Sequence, residues 1–234
     1  MNSKVLRKQL LAAVAMVIVA AIAVSSSTFA WFAMSDTVTA TGMTVTAKSD
    51  AIFLEIKGTQ DSNFGLTGTD NVNAELYPTN HETFSALADV STVGNWYYRY
   101  NRNSDNATND MTAKTTLTSF DNYVAMATYQ VQLHEGSAST GYDLYVKDIT
   151  IPENKGITVV IAGTTGYKEF SASATDITFN AADVISDTVA GGTPQTITAY
   201  IFFNGDDANV YTDNVAALTG SVSFVLQAFT TDHT

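Results

Sequence analysis

The chain has no cysteine. No disulfide can staple it, so its own core or a neighbouring molecule must supply its stability. Basic residues are also scarce, 11 Lys and Arg against 23 Asp and Glu, for a formal charge of −12. A surface of that sign repels nucleic acid and anionic lipid, and neither is an expected partner. Histidine occurs three times. His81-Glu82 begins like the zinc-protease signature, but Ser85 stands where the second histidine is needed. Two histidines four apart on one helical face are what hold that metal. No Gly-x-Ser-x-Gly elbow and no glycine-rich phosphate loop before a helix occurs. No catalytic residue is expected, and the chain does not read as an enzyme. No internal repeat of solenoid or propeller length occurs either.

The start is what the chain does have. Lys4, Arg7 and Lys8 precede an uncharged apolar stretch from Leu10 to Val24, followed by Ser25–Ala30. This is the order of a secretory signal peptide: charged region, apolar region, small residue at the cut. The apolar stretch is about 15 residues, short of the ~20 that span a bilayer. Thr28 and Ala30 at the −3 and −1 positions predict signal-peptidase cleavage after Ala30. A type IV prepilin reading fails, because residues 4–14 lack the Gly processing site and the Glu that follows it. Removing the three basic residues of 1–30 leaves 8 basic against 23 acidic, a charge of −15. The C-terminal Phe229–Thr234 has no apolar tail and no sortase-type motif, so no stable anchor is expected after processing.

Residues 31–234 suffice for one sandwich-sized domain. Strand patterns dominate: Val38–Lys48, Ala51–Lys57, Tyr123–His134, Tyr142–Ile151, Ile157–Ala162, Thr196–Phe203 and Ser221–Phe229. They are rich in Val, Ile, Thr, Tyr and Phe, and Gly, Asn and Asp clusters separate them. This predicts an antiparallel all-β protein. Ile157–Ala162 reads as buried on both faces. Short helical turns are expected near Thr83–Val90, Ala181–Ile185 and Asn214–Leu218. The polar stretches near 58–73 and 94–118 read as loop insertions at one end of a sandwich spanning 49–234.

Two places could bind ligands. The stretch 205–214 gathers Asp206, Asp207, Asn209, Asp213 and Asn214, and hard cations want several oxygens at close range. Ligands for calcium would come from Asp206, Asp207, Asn209 and Asp213. The spacing is not that of an EF-hand, and Asx turns are the competing and preferred reading. Trp96–Tyr100 could form a sugar-stacking platform, though packing or a subunit contact is the preferred reading.

Thr28–Phe32, Thr37–Met43, Glu75–Thr79, Asp143–Val146 and Ala199–Asn214 occur in an order that resembles the TasA/camelysin-like exported proteins of Gram-positive bacteria. Within that family the start is similar to the clostridial type, Thr-Phe-Ala-Trp-Phe. The resemblance implies a jelly-roll-like β-sandwich, export by a signal peptidase, and assembly into fibres of the biofilm matrix or cell surface. It implies that the mature N-terminal strand fills a groove in the next subunit. Relatives described as metalloproteases do not extend that activity here, given the broken motif at His81.

The residues point the same way. Processing would free a strand at residues 31–48, with Trp31, Phe32, Val38, Met43 and Val45 as its expected interface residues. Met43 and Val45 share one parity, the expected buried face. A free strand pairs with unpaired backbone groups of another sheet and inserts alternate side chains. Head-to-tail donation does not close, so it yields a homopolymer filament. The competing function is a monomeric, secreted calcium- or glycan-binding module.

Overall fold

A computed structural model describes residues 38–48, 54–74, 76–102, 111–135, 142–153, 155–211 and 221–230. Side chains within 38–48 and 71–74 are not described. Thirteen strands are present among these residues: β1 Val38–Lys48, β2 Leu54–Gly58, β3 Thr67–Ala74, β4 Thr79–His81, β5 Trp96–Tyr98, β6 Thr115–Thr116, β7 Ala125–Leu133, β8 Tyr142–Thr150, β9 Ile157–Ala162, β10 Tyr167–Phe170, β11 Ser186–Val189, β12 Gln195–Phe203 and β13 Ser223–Thr230. The fold is an all-β sandwich. Sheet A has the order β11-β8-β13-β1-β3, and sheet B the order β10-β9-β12-β7-β2.

Alternation decides which faces meet. In β7, Ala125, Ala127, Tyr129, Val131 and Leu133 are buried, while Met126 between them is exposed. In β8 the inward parity changes once. Val225 pairs with Asp148 and Leu226 with Val146, so Lys147 is the extra residue of a bulge. The bulge lets Leu144 and Val146 before it, and Ile149 and Ile151 after it, all enter the core. Phe224, Leu226 and Ala228 of β13 meet them from the adjoining strand.

A third layer covers the outer face of sheet B. The chain leaves sheet A at Ala74, builds a small sheet of order β4-β5-β6, and returns at Ala125. Its Phe84, Val90, Trp96 and Leu117 pack on Val160 and Ala162 of β9 and Tyr200 and Phe202 of β12. This explains why every residue of β9 is buried. A strand covered on both sides has no polar face to show. The only α-helix among the described residues, α1 (Leu87–Val90), lies in this cap. A 3-10 turn at Ala181–Asp183 falls where a short helical turn was expected, and Asn214–Leu218 lies outside the described residues.

Two sequence expectations need correcting. The 58–73 stretch is not a loop at one end, because it contains β3. Thr67–Ala74 is poor in apolar residues, so no hydrophobic alternation marks it, yet it pairs along its length with β1. The 94–118 stretch contains β5 and β6 of the cap, so it covers a sheet face.

Backbone contacts join the two sheets at both lateral edges. On one side Ile56 and Gly65 exchange backbone hydrogen bonds of 2.8 and 3.0 Å. Gly58 lies so close to β3 that a Cβ there would stand 2.0 Å from the Thr69 carbonyl oxygen. On the other side Thr165 and Gly166 donate to the Ile185 carbonyl, and Thr164 donates to the buried Ser186 hydroxyl.

Candidate functional site

β1 is the strand that sets this sandwich apart. It lies between β13 and β3, parallel to the former and antiparallel to the latter. Every other strand pair described is antiparallel. Val45 pairs with Phe224 on one side and Gly68 on the other, and Ala47 pairs with Leu226. Met43 pairs with Asp70. Paired residues of neighbouring strands share a face. Positions 43, 45 and 47 therefore lie at the core-facing rungs marked by Asp70, Gly68, Phe224 and Leu226. Between Ala40 and Met43 the register shifts against β3, a bulge around Thr41 and Gly42. Val38 pairs with Ala74 at the far end of β3. Trp31 and Phe32 lie outside the described residues.

The β3 wall of this seam is fastened to sheet B without help from β1. One oxygen of Asp61 accepts from the Gly58 and Thr69 amides, both at 2.8 Å. Asp70 is buried, and it accepts from the Thr59 hydroxyl at 2.5 Å and the Thr128 amide at 3.0 Å. The floor of the seam is Tyr129. Its ring lies edge-on to Phe224 at 5.7 Å, and a Cβ on Gly68 would stand 3.3 Å from it. The Tyr129 hydroxyl is buried and has no hydrogen-bond partner among the described residues. Burial first, then the charges of Asp70 and Asp61, push its ionisation above the ordinary tyrosine range.

The 205–214 loop is organised by its own side chains. Asp206 accepts from the Tyr97 hydroxyl at 2.9 Å and the Asn80 amide at 3.0 Å, and lies 3.5 Å from the Arg99 guanidinium. It pins the cap to the β12 end of the sandwich. Asp207 accepts from the backbone and side-chain nitrogens of Asn209 at 2.7 and 3.0 Å, an Asx turn. Asp213 and Asn214 lie outside the described residues. Among the described residues no group of three or more carboxylate or imidazole side chains converges on one point. A cleft of about 320 Å³ beside the loop opposes Lys155 to Glu153 and Asp207.

The aromatic run divides. Trp96 is fully buried, donates its indole N–H to the Val90 carbonyl at 3.0 Å, and stands among Phe84, Phe120, Tyr200 and Phe202. Tyr97 is buried too, so these two rings offer no face to a sugar. His81 is not a solvated loop residue as its sequence context suggests. It sits in β4 with only 8% of its side chain exposed, stacked on Phe84 at 3.9 Å. Its Nδ1 contacts the Glu82 carbonyl at 2.9 Å, and Ser85 lies in a bend outside any helix. The helical face of a zinc-protease site is not formed here.

Sequence reasoning missed Asp61, Asp70, Gly68 and Tyr129, the residues that shape the seam. Only Tyr129 carried a signal, its alternation with Ala127 and Val131. No family model, curated protein or solved structure matches the chain.

Proposed function

We propose that this chain is a structural subunit of an extracellular filament, exported by a signal peptide at 1–30 and joined head to tail by donor-strand exchange. One observation carries the reading: β1, the N-terminal strand, lies between β3 and β13 with a separate ladder on each side.

The connectivity supports a jelly roll. Set β1 and β2 aside, and chain order runs β3, β7, β8, β9, β10, β11, β12, β13 around two four-stranded sheets. Their orders become β3-β13-β8-β11 and β7-β12-β9-β10. That is the two-Greek-key pattern, in which the first and last strands pair. β1 occupies the seam between them. A strand inserted there can come from the same chain or from a neighbour without altering the roll, because the β3 wall is fastened to sheet B. Main-chain bonds would give affinity, and the core-facing positions 43, 45 and 47 register.

Electron micrographs of purified protein beginning at Trp31 test the proposal. Filaments are expected from that form, and soluble particles from a form lacking residues 31–45. Normal filaments from the shortened form would overturn it. A protein that stays monomeric with residues 31–45 intact would favour the secreted binding module instead.

A further inference from the structure

Tyr77 and Tyr123 stand at the two ends of the cap. Tyr77 follows the exit of the chain from sheet A at Ala74, and Tyr123 precedes its return at Ala125. The Tyr77 amide donates to the Asn122 carbonyl at 2.7 Å, which ties the two ends together. Asn122 has a left-handed backbone, φ 63°, a conformation that asparagine tolerates better than most residues. The turn it makes delivers Tyr123 beside Tyr77. Their ring centroids are 5.8 Å apart at 49°. Tyr77 is 60% exposed. Tyr98 also neighbours Tyr123, at 5.8 Å and 22°.

We propose that Tyr77 and Tyr123 form an oxidative modification site, a dityrosine cross-link that closes the cap at its base. The co-reactant is a peroxidase with hydrogen peroxide. Each phenol gives up one electron and one proton. The two radicals couple through the ring carbons beside their hydroxyls, and the hydrogens on those carbons move to the oxygens to restore both rings. Two phenols and one peroxide give one biaryl and two waters, so the chain loses two hydrogens.

Position and geometry single out this pair. A covalent tie at the base of a long excursion constrains the unfolded chain as a disulfide would, and more so for longer loops. The chain has no cysteine to do this. The exposed, tilted ring of Tyr77 has solvent on one side and can swing its edge onto Tyr123. Tyr98 lies near-parallel to Tyr123 at the same centroid distance, and the greater exposure of Tyr77 is what favours the 77–123 pair.

The inference rests on the extracellular reading only for its oxidant, and the test supplies one. Full-length protein is treated with a haem peroxidase and hydrogen peroxide, and the monomer fraction is read by dityrosine fluorescence and peptide mass mapping. A 77–123 link lighter by two hydrogens is expected, with a raised melting temperature. Tyr77→Phe keeps the ring and should reduce the monomer signal to background, while Tyr98→Phe should leave it. A link mapped to other tyrosines, formed only between molecules, or undiminished by Tyr77→Phe would overturn the assignment. Filament formation plays no part in any of these readouts.

Discussion

Gly68 of β3 and Phe224 of β13 flank the same residue, Val45, and both lie against the ring of Tyr129 beneath it. Two strands that would be neighbours in a jelly roll are thus held one strand-width apart. A glycine on one side and a phenylalanine on the other give the rung an uneven floor. The position between them therefore belongs to the core of the sandwich as well as to the proposed subunit contact.

A charge at that rung should weaken both. Val45→Asp would set a carboxylate between Phe224 and Gly68, and Met43→Asp would set one beside the buried Asp70. An unpaired charge in such a place costs about 2–4 kcal/mol, in the range of severe core substitutions. Both variants should raise the protein concentration needed for assembly, read by sedimentation and microscopy. Thr44→Asp, on the opposite parity, serves as the control. Equal effects at positions 44 and 45 would mean that the face assignment is wrong.

Gly58→Ala tests the joined edge. The added Cβ would meet three backbone atoms of Thr69, at 2.0, 2.5 and 2.8 Å. No side-chain rotation relieves a clash with backbone, so β2 and β3 must part. Overpacking of this kind costs about 1–3 kcal/mol. The urea midpoint should fall accordingly, and the Ile56–Gly65 amides should lose exchange protection before the rest of sheet B. An unchanged midpoint would show that the edge is loose.

The strands with one face on the core and one outside were legible from alternation, and β9, covered on both faces, from its unbroken apolar run. Val38–Lys48 matches its strand at both ends, as does Ile157–Ala162. β3 was illegible for a physical reason. It buries a glycine and an aspartate, and carboxylate–amide bonds hold it where apolar contact usually would. The cap was half legible. Its short helix and aromatic run stand out, but nothing in one sequence says that the run covers β9 and β12. Asp206 illustrates the limit at the candidate sites. Its neighbours in sequence suggest a cation loop, while its partners Asn80, Tyr97 and Arg99 come from more than a hundred positions away.

Asp206→Ala should destabilise the protein by about 1–3 kcal/mol, the worth of hydrogen bonds to a charged carboxylate. Tyr97 and Asn80 lose an acceptor and Arg99 loses its counter-charge. The loss should be the same in calcium and in chelator, read as two melting curves. A calcium-dependent rise in the parent protein that the variant abolishes would instead make the loop a cation site.

The seam floor should also set an alkaline limit. Burial and nearby carboxylates raise the ionisation of Tyr129, so the folded state favours its neutral phenol. That contribution is complete below the unfolded tyrosine value of about 10, and it is lost as pH rises above it toward the folded value. Stability to urea should therefore hold to about pH 9 and decline beyond about pH 10. Tyr97, Tyr123, Tyr145 and Tyr200 are also raised by burial, so the parent alone cannot assign the decline. Tyr129→Phe keeps the ring and removes the one hydroxyl that, among the described residues, is buried without a partner. At neutral pH the variant should match the parent or exceed it by about 1 kcal/mol, since an unsatisfied buried hydroxyl is a cost. At high pH its decline should be the shallower of the two. Parallel curves for parent and variant would place the alkaline limit elsewhere and leave Tyr129 a packing residue only.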